Sequence, residues 1–241
     1  MYEKFTESKQ YISLLLKGMP GTGKTTIAAQ FPKPVLINFD KNTACLNRLS
    51  KESLDDLRLV DPFKDEAGKI VPNIKIWNNF TNQLSKIVED NSVKTIIIDS
   101  LTLLAAALES SILGSDDPKK QFRLQDWGTF GRYLQWLGEN LIQAQGRDKH
   151  IIVIAHEQAL VDDDSGRTTG YSLTIGGKMK NSFEMYFSDV WKTFIETKVG
   201  RPSEYKVTGK PTNMFTAKCS LDLPDTWKFS EQKDNIVKQL A

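Results

Sequence analysis

Gly18-Met-Pro-Gly-Thr-Gly-Lys24-Thr25 sets a lysine and a hydroxyl directly behind a glycine-rich run, with four residues between Gly18 and Gly23. Glycines let successive backbone N–H groups turn inward as a nest for phosphate oxygens. A helix opening near Lys24 adds its unpaired N–H groups and the positive end of its dipole. Lys24 offers a mobile ammonium to β- and γ-phosphates, and the Thr25 hydroxyl can ligate the magnesium ion that travels with a nucleoside triphosphate. The candidate binding residues are Gly18, Pro20, Gly21, Thr22, Gly23, Lys24, Thr25 and Thr26. An apolar run of strand length (Tyr11 to Lys17) precedes the motif and a helical segment (Ile27, Ala28, Ala29, Phe31) follows it. A glycine turn that binds nothing is the competing reading, and this strand-loop-helix context argues against it. The expected ligand is ATP or GTP.

Three further polar residues close apolar runs. Val35-Leu-Ile-Asn-Phe-Asp40, Val93-Lys-Thr-Ile-Ile-Ile-Asp99 and His150-Ile-Ile-Val-Ile-Ala-His156 each read as a buried strand with a chemical group at its end. In open α/β sheets ligands collect at the carboxyl ends of strands, so Asp40, Asp99 and His156 fall where chemistry takes place. A carboxylate ending a buried strand is costly unless a cation is near, which makes Asp99 the magnesium-orienting candidate. Asp99 or Ser100 as the N-cap of the following helix is the alternative. For His156 the alternatives are a γ-phosphate contact and a satisfied core histidine.

The elements that must position these groups are legible in outline. A chain of 241 residues with 39% hydrophobic and 26% charged residues fits one domain with a sizeable core. A net charge of +2 makes any nucleic-acid footprint a local matter. No apolar run approaches the roughly 20 residues of a membrane span. The polar first ten residues lack a signal core, and only Cys45 and Cys219 are present, so a cytoplasmic location is expected. Residues 1–10 read as an arm, 45–60 as a helix and its exit, Ile74 to Trp77 as a short strand, and Phe80 to Val88 as a one-faced helix. Residues 112–126 and 158–175 read as flexible loops around a long amphipathic helix from Trp127 to about Ala144. Gly176-Gly177 opens a helix over 178–187. Alternation marks strands over 190–196, 204–208 and 213–220, and 223–241 forms a helical tail.

In this order, the parts resemble the core of RecA-like recombinase ATPases over roughly residues 11–222. Ile98-Asp99-Ser100, Trp127-Gly128 and Ala155-His156-Glu157 bring the likeness closer to the short, single-domain phage type. The resemblance implies an α/β fold in which helices flank a mostly parallel central sheet, with antiparallel strands toward the C-terminus. It implies a DNA-dependent ATPase using ATP and Mg2+, active in annealing or strand exchange on single-stranded DNA in the host cytoplasm. Asp40 then corresponds to the carboxylate that activates the attacking water, where relatives often carry Glu. Asp99 orients magnesium, and His156 is the sensor of the γ-phosphate. The loops at 112–126 and 158–175 correspond to DNA-binding loops, with Lys119, Lys120, Arg123 and Arg167 as their cations. Lys218 corresponds to a cation that reaches a neighbouring subunit's nucleotide. Implied partners are single-stranded DNA, further copies of the chain in a ring or short filament, and a single-strand DNA-binding protein. Two alternatives stand beside this reading. A nucleotide kinase needs an arginine-rich lid, and 158–175 holds only Arg167. An AAA-type remodelling ATPase has Glu directly after its magnesium-orienting Asp, where this chain has Ser100.

Overall fold

The computed structural model describes residues 11–117, 119–143 and 148–240, so the arm expected at 1–10 lies outside it. In chain order the elements are β1 (Ser13–Gly18), α1 (Lys24–Ala28), β2 (Pro34–Asn38), α2 (Lys51–Asp56), β3 (Arg58–Val60), α3 (Ile76–Glu89), β4 (Thr95–Asp99), α4 (Leu101–Leu113) and α5 (Leu124–Leu137). There follow β5 (His150–Val161), β6 (Thr168–Leu173), β7 (Asp189–Glu196), β8 (Glu204–Thr208), β9 (Thr226–Trp227) and α6 (Phe229–Leu240).

The apolar runs become the middle of one sheet in the order β3-β2-β4-β5-β1-β7-β8-β9, with β6 paired to β5. From β3 to β7 every pairing is parallel, and β8, β9 and β6 are antiparallel to their neighbours. Burial on both faces explains the unbroken hydrophobicity of β1, β4 and β5. On one face Leu15, Ile96, Ile98 and Val153 pack against α3, α4 and α5. On the other, Leu14, Leu16, Ile97, Ile152 and Trp191 pack against α1 and α6. This is the architecture that the resemblance implies.

Local expectations change where tertiary partners decide. Ile74 to Trp77 is not a strand: a 3-10 turn (Asn73–Lys75) leads into α3, and Ile76 and Trp77 extend the buried face of Phe80 and Leu84. The helix expected over 45–60 is a 3-10 turn (Ala44–Arg48), the short α2 capped by Ser50, and edge strand β3. After α5 the backbone continues as a π-helical turn (Gly138–Gln143), and Ala144 lies outside the described residues. The helix expected over 178–187 is two 3-10 turns. Residues 213–220 form no ladder, only bridges such as Val190 to Lys218, and β9 extends the sheet instead.

The largest change concerns 158–175. This segment is no flexible loop: β5 runs on past His156 to Val161 and returns as β6. Asp162 organises the turn by accepting the Ser165 N–H on its carboxylate and the Gly166 N–H on its carbonyl. The Asp- and Gly-rich stretch thus supplies a tight hairpin turn.

Candidate nucleotide site

Gly18 ends β1 between His156 of β5 and Thr193 of β7. A Cβ there would lie 2.5 Å from both the carbonyl oxygen and the hydroxyl of Thr193, so only glycine permits this approach. Gly21 and Gly23 take positive φ values of 79° and 90°, which fold the loop back toward α1. The Thr22 hydroxyl bonds the Met19 carbonyl at 2.8 Å and stands 2.6 Å from the Thr193 hydroxyl, fastening the loop to β7. Lys24 is buried and donates to the carbonyls of Gly18 and Met19, both at 2.9 Å. Burial lowers its pKa to about 8, against the opposing pull of Asp99, Asp40 and Glu157.

Asp99 ends β4, and its Oδ2 accepts the Thr25 hydroxyl at 2.7 Å. Burial lifts its carboxyl to about 6, with the Thr25 bond working the other way. Two hard oxygen donors side by side suit magnesium, which keeps several waters and takes few protein ligands. Among the described residues no group of three or more His, Cys, Asp or Glu gathers into a metal cage. Thr25 and Asp99 are the residues that could hold such an ion together with the phosphates of a nucleotide. The capping alternative is realised by the neighbouring residue: Ser100 is the N-cap of α4, which leaves the Asp99 side chain free to face Thr25.

Asp40 lies just past β2, and its backbone N–H donates to the Asp99 carbonyl at 3.1 Å. Ser100 Oγ donates to Asp40 Oδ1 at 2.6 Å, and His156 Nε2 lies 3.2 Å from Asp40 Oδ2. Burial pushes the Asp40 pKa up, but the bonds from His156 and Ser100 outweigh it and the net shift is downward. The structure thus brings Lys24, Thr25, Asp40, Asp99 and His156 to one end of the sheet, around one cleft.

That cleft has a volume of about 940 Å3, within the range of small-molecule sites. It is also lined by Arg48, Tyr205, Val207 and Phe229, none of which sequence reasoning singled out. Tyr205 stands beside the loop, its Cδ1 3.7 Å from where a Gly23 Cβ would be. No linear motif marks it, because β8 reaches the loop only through the order β1-β7-β8.

The remaining expected residues lie elsewhere. Lys119, Lys120 and Arg123 are exposed between α4 and α5, and Arg167 is exposed beside the hairpin turn. Among the described residues none of the four is in an ion pair. Lys218 is exposed, does not line the cleft, and bridges Val190 through its backbone, three residues before the Thr193 that flanks Gly18.

A family model described as an AAA domain matches residues 10–221. No curated protein matches the sequence. Among solved structures, a KaiC-like protein from the hyperthermophilic archaeon Pyrococcus horikoshii OT3 is similar over 82% of this chain and 78% of its own, at 19% identity and a TM-score of 0.48. The flagellar accessory protein FlaH from Methanocaldococcus jannaschii is similar over 82% of this chain and 76% of its own, at 13% identity and a TM-score of 0.37. The family bears the AAA name of an alternative that Ser100 argues against, and the structure keeps a serine, not a carboxylate, behind Asp99. The matched span takes in the strands from β1 to β8, and the chain belongs to the AAA domain family of P-loop ATPases.

Proposed function

We propose that this protein is a magnesium-dependent ATPase whose turnover is coupled to single-stranded DNA, in annealing or strand exchange of the phage recombination type. The observation that carries the hydrolytic part is the convergence of Asp40, Asp99 and His156 on the cleft of the phosphate loop. Lys24 would leave the Gly18 and Met19 carbonyls to pair with phosphate. Magnesium, held by Thr25 and Asp99, would neutralise charge that develops on the phosphoryl oxygens. Asp40 is kept ionised by two hydrogen bonds and so can accept a proton from water. His156, which lines the same cleft at the start of the hairpin, would contact the γ-phosphate. Stabilisation of charge and placement of water are the main demands of phosphoryl transfer to water.

Support for DNA is of a different kind. The unpaired cations Lys119, Lys120, Arg123 and Arg167 are free to meet phosphates, which position a nucleic acid without reading it. The three consecutive acids Asp162 to Asp164 at the hairpin turn work against that contact. Further copies of the chain, with Lys218 reaching across, and a single-strand DNA-binding protein belong to the same proposal.

The deciding measurement is ATP hydrolysis with and without single-stranded DNA, joined to DNA titrations with a non-hydrolysable ATP analogue at two salt concentrations. Stimulation by DNA and salt-sensitive, nucleotide-dependent binding are expected. Hydrolysis indifferent to DNA, with binding indifferent to nucleotide and salt, would refute the DNA half and leave a plain ATPase.

A further inference from the structure

Between α3 and α5 lies a second concavity, of about 480 Å3, enough for a ligand of nucleotide size. Its lining is Trp77 and Thr81 from α3 and Thr129, Arg132, Tyr133 and Trp136 from α5. None of these residues lines the nucleotide cleft. Their spacing in the chain brings them together. Trp77 and Thr81 are four residues apart, and the α5 residues follow the steps of three and four that keep side chains on one face of a helix.

The core does not require this face. The buried stripe of α5 is Phe130, Leu134 and Leu137, whereas Tyr133 and Trp136 remain 41% and 44% exposed. Both pack against the buried Trp77, with ring centres 5.4 Å and 6.4 Å from its own and planes inclined at 73° and 65°. Aromatic surface left in water beside a cavity marks a place for an occupant.

The chemistry of the lining selects the occupant. No aliphatic side chain is present, which sets the site apart from a groove built for the apolar face of a partner helix. The single charged side chain is Arg132, exposed and in no ion pair among the described residues, so the site favours an anion and opposes a cation. The Thr81 and Thr129 hydroxyls donate to the carbonyls of Asn78 and Gln125 at 3.0 and 3.2 Å, which leaves their lone pairs as acceptors. Rings to stack on, acceptors for an exocyclic amino group and a guanidinium for a phosphate are together the means of holding an unpaired nucleotide.

We propose that the α3–α5 concavity is a contact site for single-stranded DNA, in which an unpaired base stacks on Tyr133 and Trp136 and Arg132 meets a neighbouring phosphate. The inference rests on the single-stranded DNA reading and gives it a stacking contact outside the loop cations Lys119, Lys120, Arg123 and Arg167. Stacking tolerates any base, so the site holds a strand without selecting its sequence.

The test compares a dT20 oligonucleotide with an abasic oligomer of equal length, titrated into protein saturated with a non-hydrolysable ATP analogue. Phosphate contacts are common to both oligomers, and only dT20 can stack. The wild type is expected to prefer dT20 by about tenfold or more. Tyr133→Ala/Trp136→Ala, two changes at exposed positions, weakens dT20 binding about tenfold and leaves abasic binding within about threefold, so the preference narrows. Arg132→Gln weakens both oligomers and lowers the slope of log affinity against log salt by about 0.7. Melting curves on each variant establish that it is folded. A preference for dT20 that survives in the folded double variant overturns the proposal, as does an equal loss for both oligomers. Should the variants bind dT20 as the wild type does while losing a short aspartate-rich peptide that carries one phenylalanine, the surface belongs to a protein partner and the proposal fails. A wild type that binds neither oligomer refutes the DNA reading itself, and this inference with it.

Discussion

His156 Nε2 stands 3.2 Å from Asp40 Oδ2, joining the ends of two strands, β2 and β5, that are not neighbours in the sheet. With Ser100 on its other oxygen, Asp40 is held as a carboxylate at the mouth of the cleft. Asp40→Asn preserves shape but cannot take a proton. We expect it to bind nucleotide within about threefold of wild type and to lose roughly a hundredfold or more in turnover. Equilibrium nucleotide binding and single-turnover hydrolysis on the same variant check both halves, and full activity would remove Asp40 from the base role.

Lys24 gives a pH signature. Its pKa is lowered from 10.5 to about 8 by burial, and a bound phosphate needs its charge. Nucleotide affinity is therefore expected to fall as pH rises through about 8, approaching a tenfold loss per unit above it. Stability without nucleotide moves the other way. Between about 8 and 10.5 the unfolded chain holds a proton that the folded chain has released, so stability rises with pH across that window. Lys24→Met abolishes nucleotide binding and flattens this rise in a series of denaturant titrations.

Asp99 acts at the acid end. With its carboxyl lifted to about 6, protonation below that pH removes the charge that orients magnesium. Magnesium-dependent stabilisation by nucleotide, read as a rise in Tm, is expected to vanish as pH falls through about 6. Without nucleotide, the folded chain holds an extra proton between 3.8 and about 6, so this group's contribution to stability grows as pH falls through that window. Asp99→Asn removes both effects.

Gly18 and Gly21 separate two meanings of a glycine. Gly18→Ala drives a methyl to 2.5 Å from the backbone of β7 and is expected to cost about 1–3 kcal/mol. At Gly21 a methyl meets nothing within 4 Å, and only the positive φ opposes it, at about 1 kcal/mol. Urea titrations of the two variants give the ranking, and an equal loss would show that the approach to Thr193 is not the constraint.

Tyr205 tests the part of the cleft lining that β8 supplies. Removing its ring with Tyr205→Ala is expected to weaken ATP binding about tenfold. Binding of inorganic triphosphate, which lacks a nucleoside to meet the ring, stays unchanged. Equal losses for both ligands would assign Tyr205 to the phosphate loop's shape instead.

The residues legible from sequence share a property: each ends or follows an apolar run that folds the same way in almost any context. Gly18 to Thr26, Asp40, Asp99 and His156 are of this kind, and with them came the parallel sheet. What escaped depends on partners distant in the chain. Ile76 and Trp77 alternate like a strand yet continue the face of α3, because the core on that side accepts them with Phe80. The 158–175 segment has the composition of a loop, but ladder bonds from Glu157 onward impose a hairpin. Lys17, Glu157 and Lys192 lie far apart in the chain, and the pairing of β1 with β5 and β7 lets both lysines reach the one buried carboxylate, at 3.3 Å from Lys17 and 2.5 Å from Lys192.

The central place of β1 also sets a timetable. This strand leaves the ribosome before the other eight among the described residues, yet it is sandwiched between β5 and β7, which emerge late. Until β7 has been made, one edge of β1 is open and Gly18 has no Thr193 to close against. The phosphate loop is thus made before the strands that complete it, and ATP can reward folding only once β7 has emerged. Through that interval an apolar strand waits without its neighbours, a hazard that slow parallel pairing prolongs.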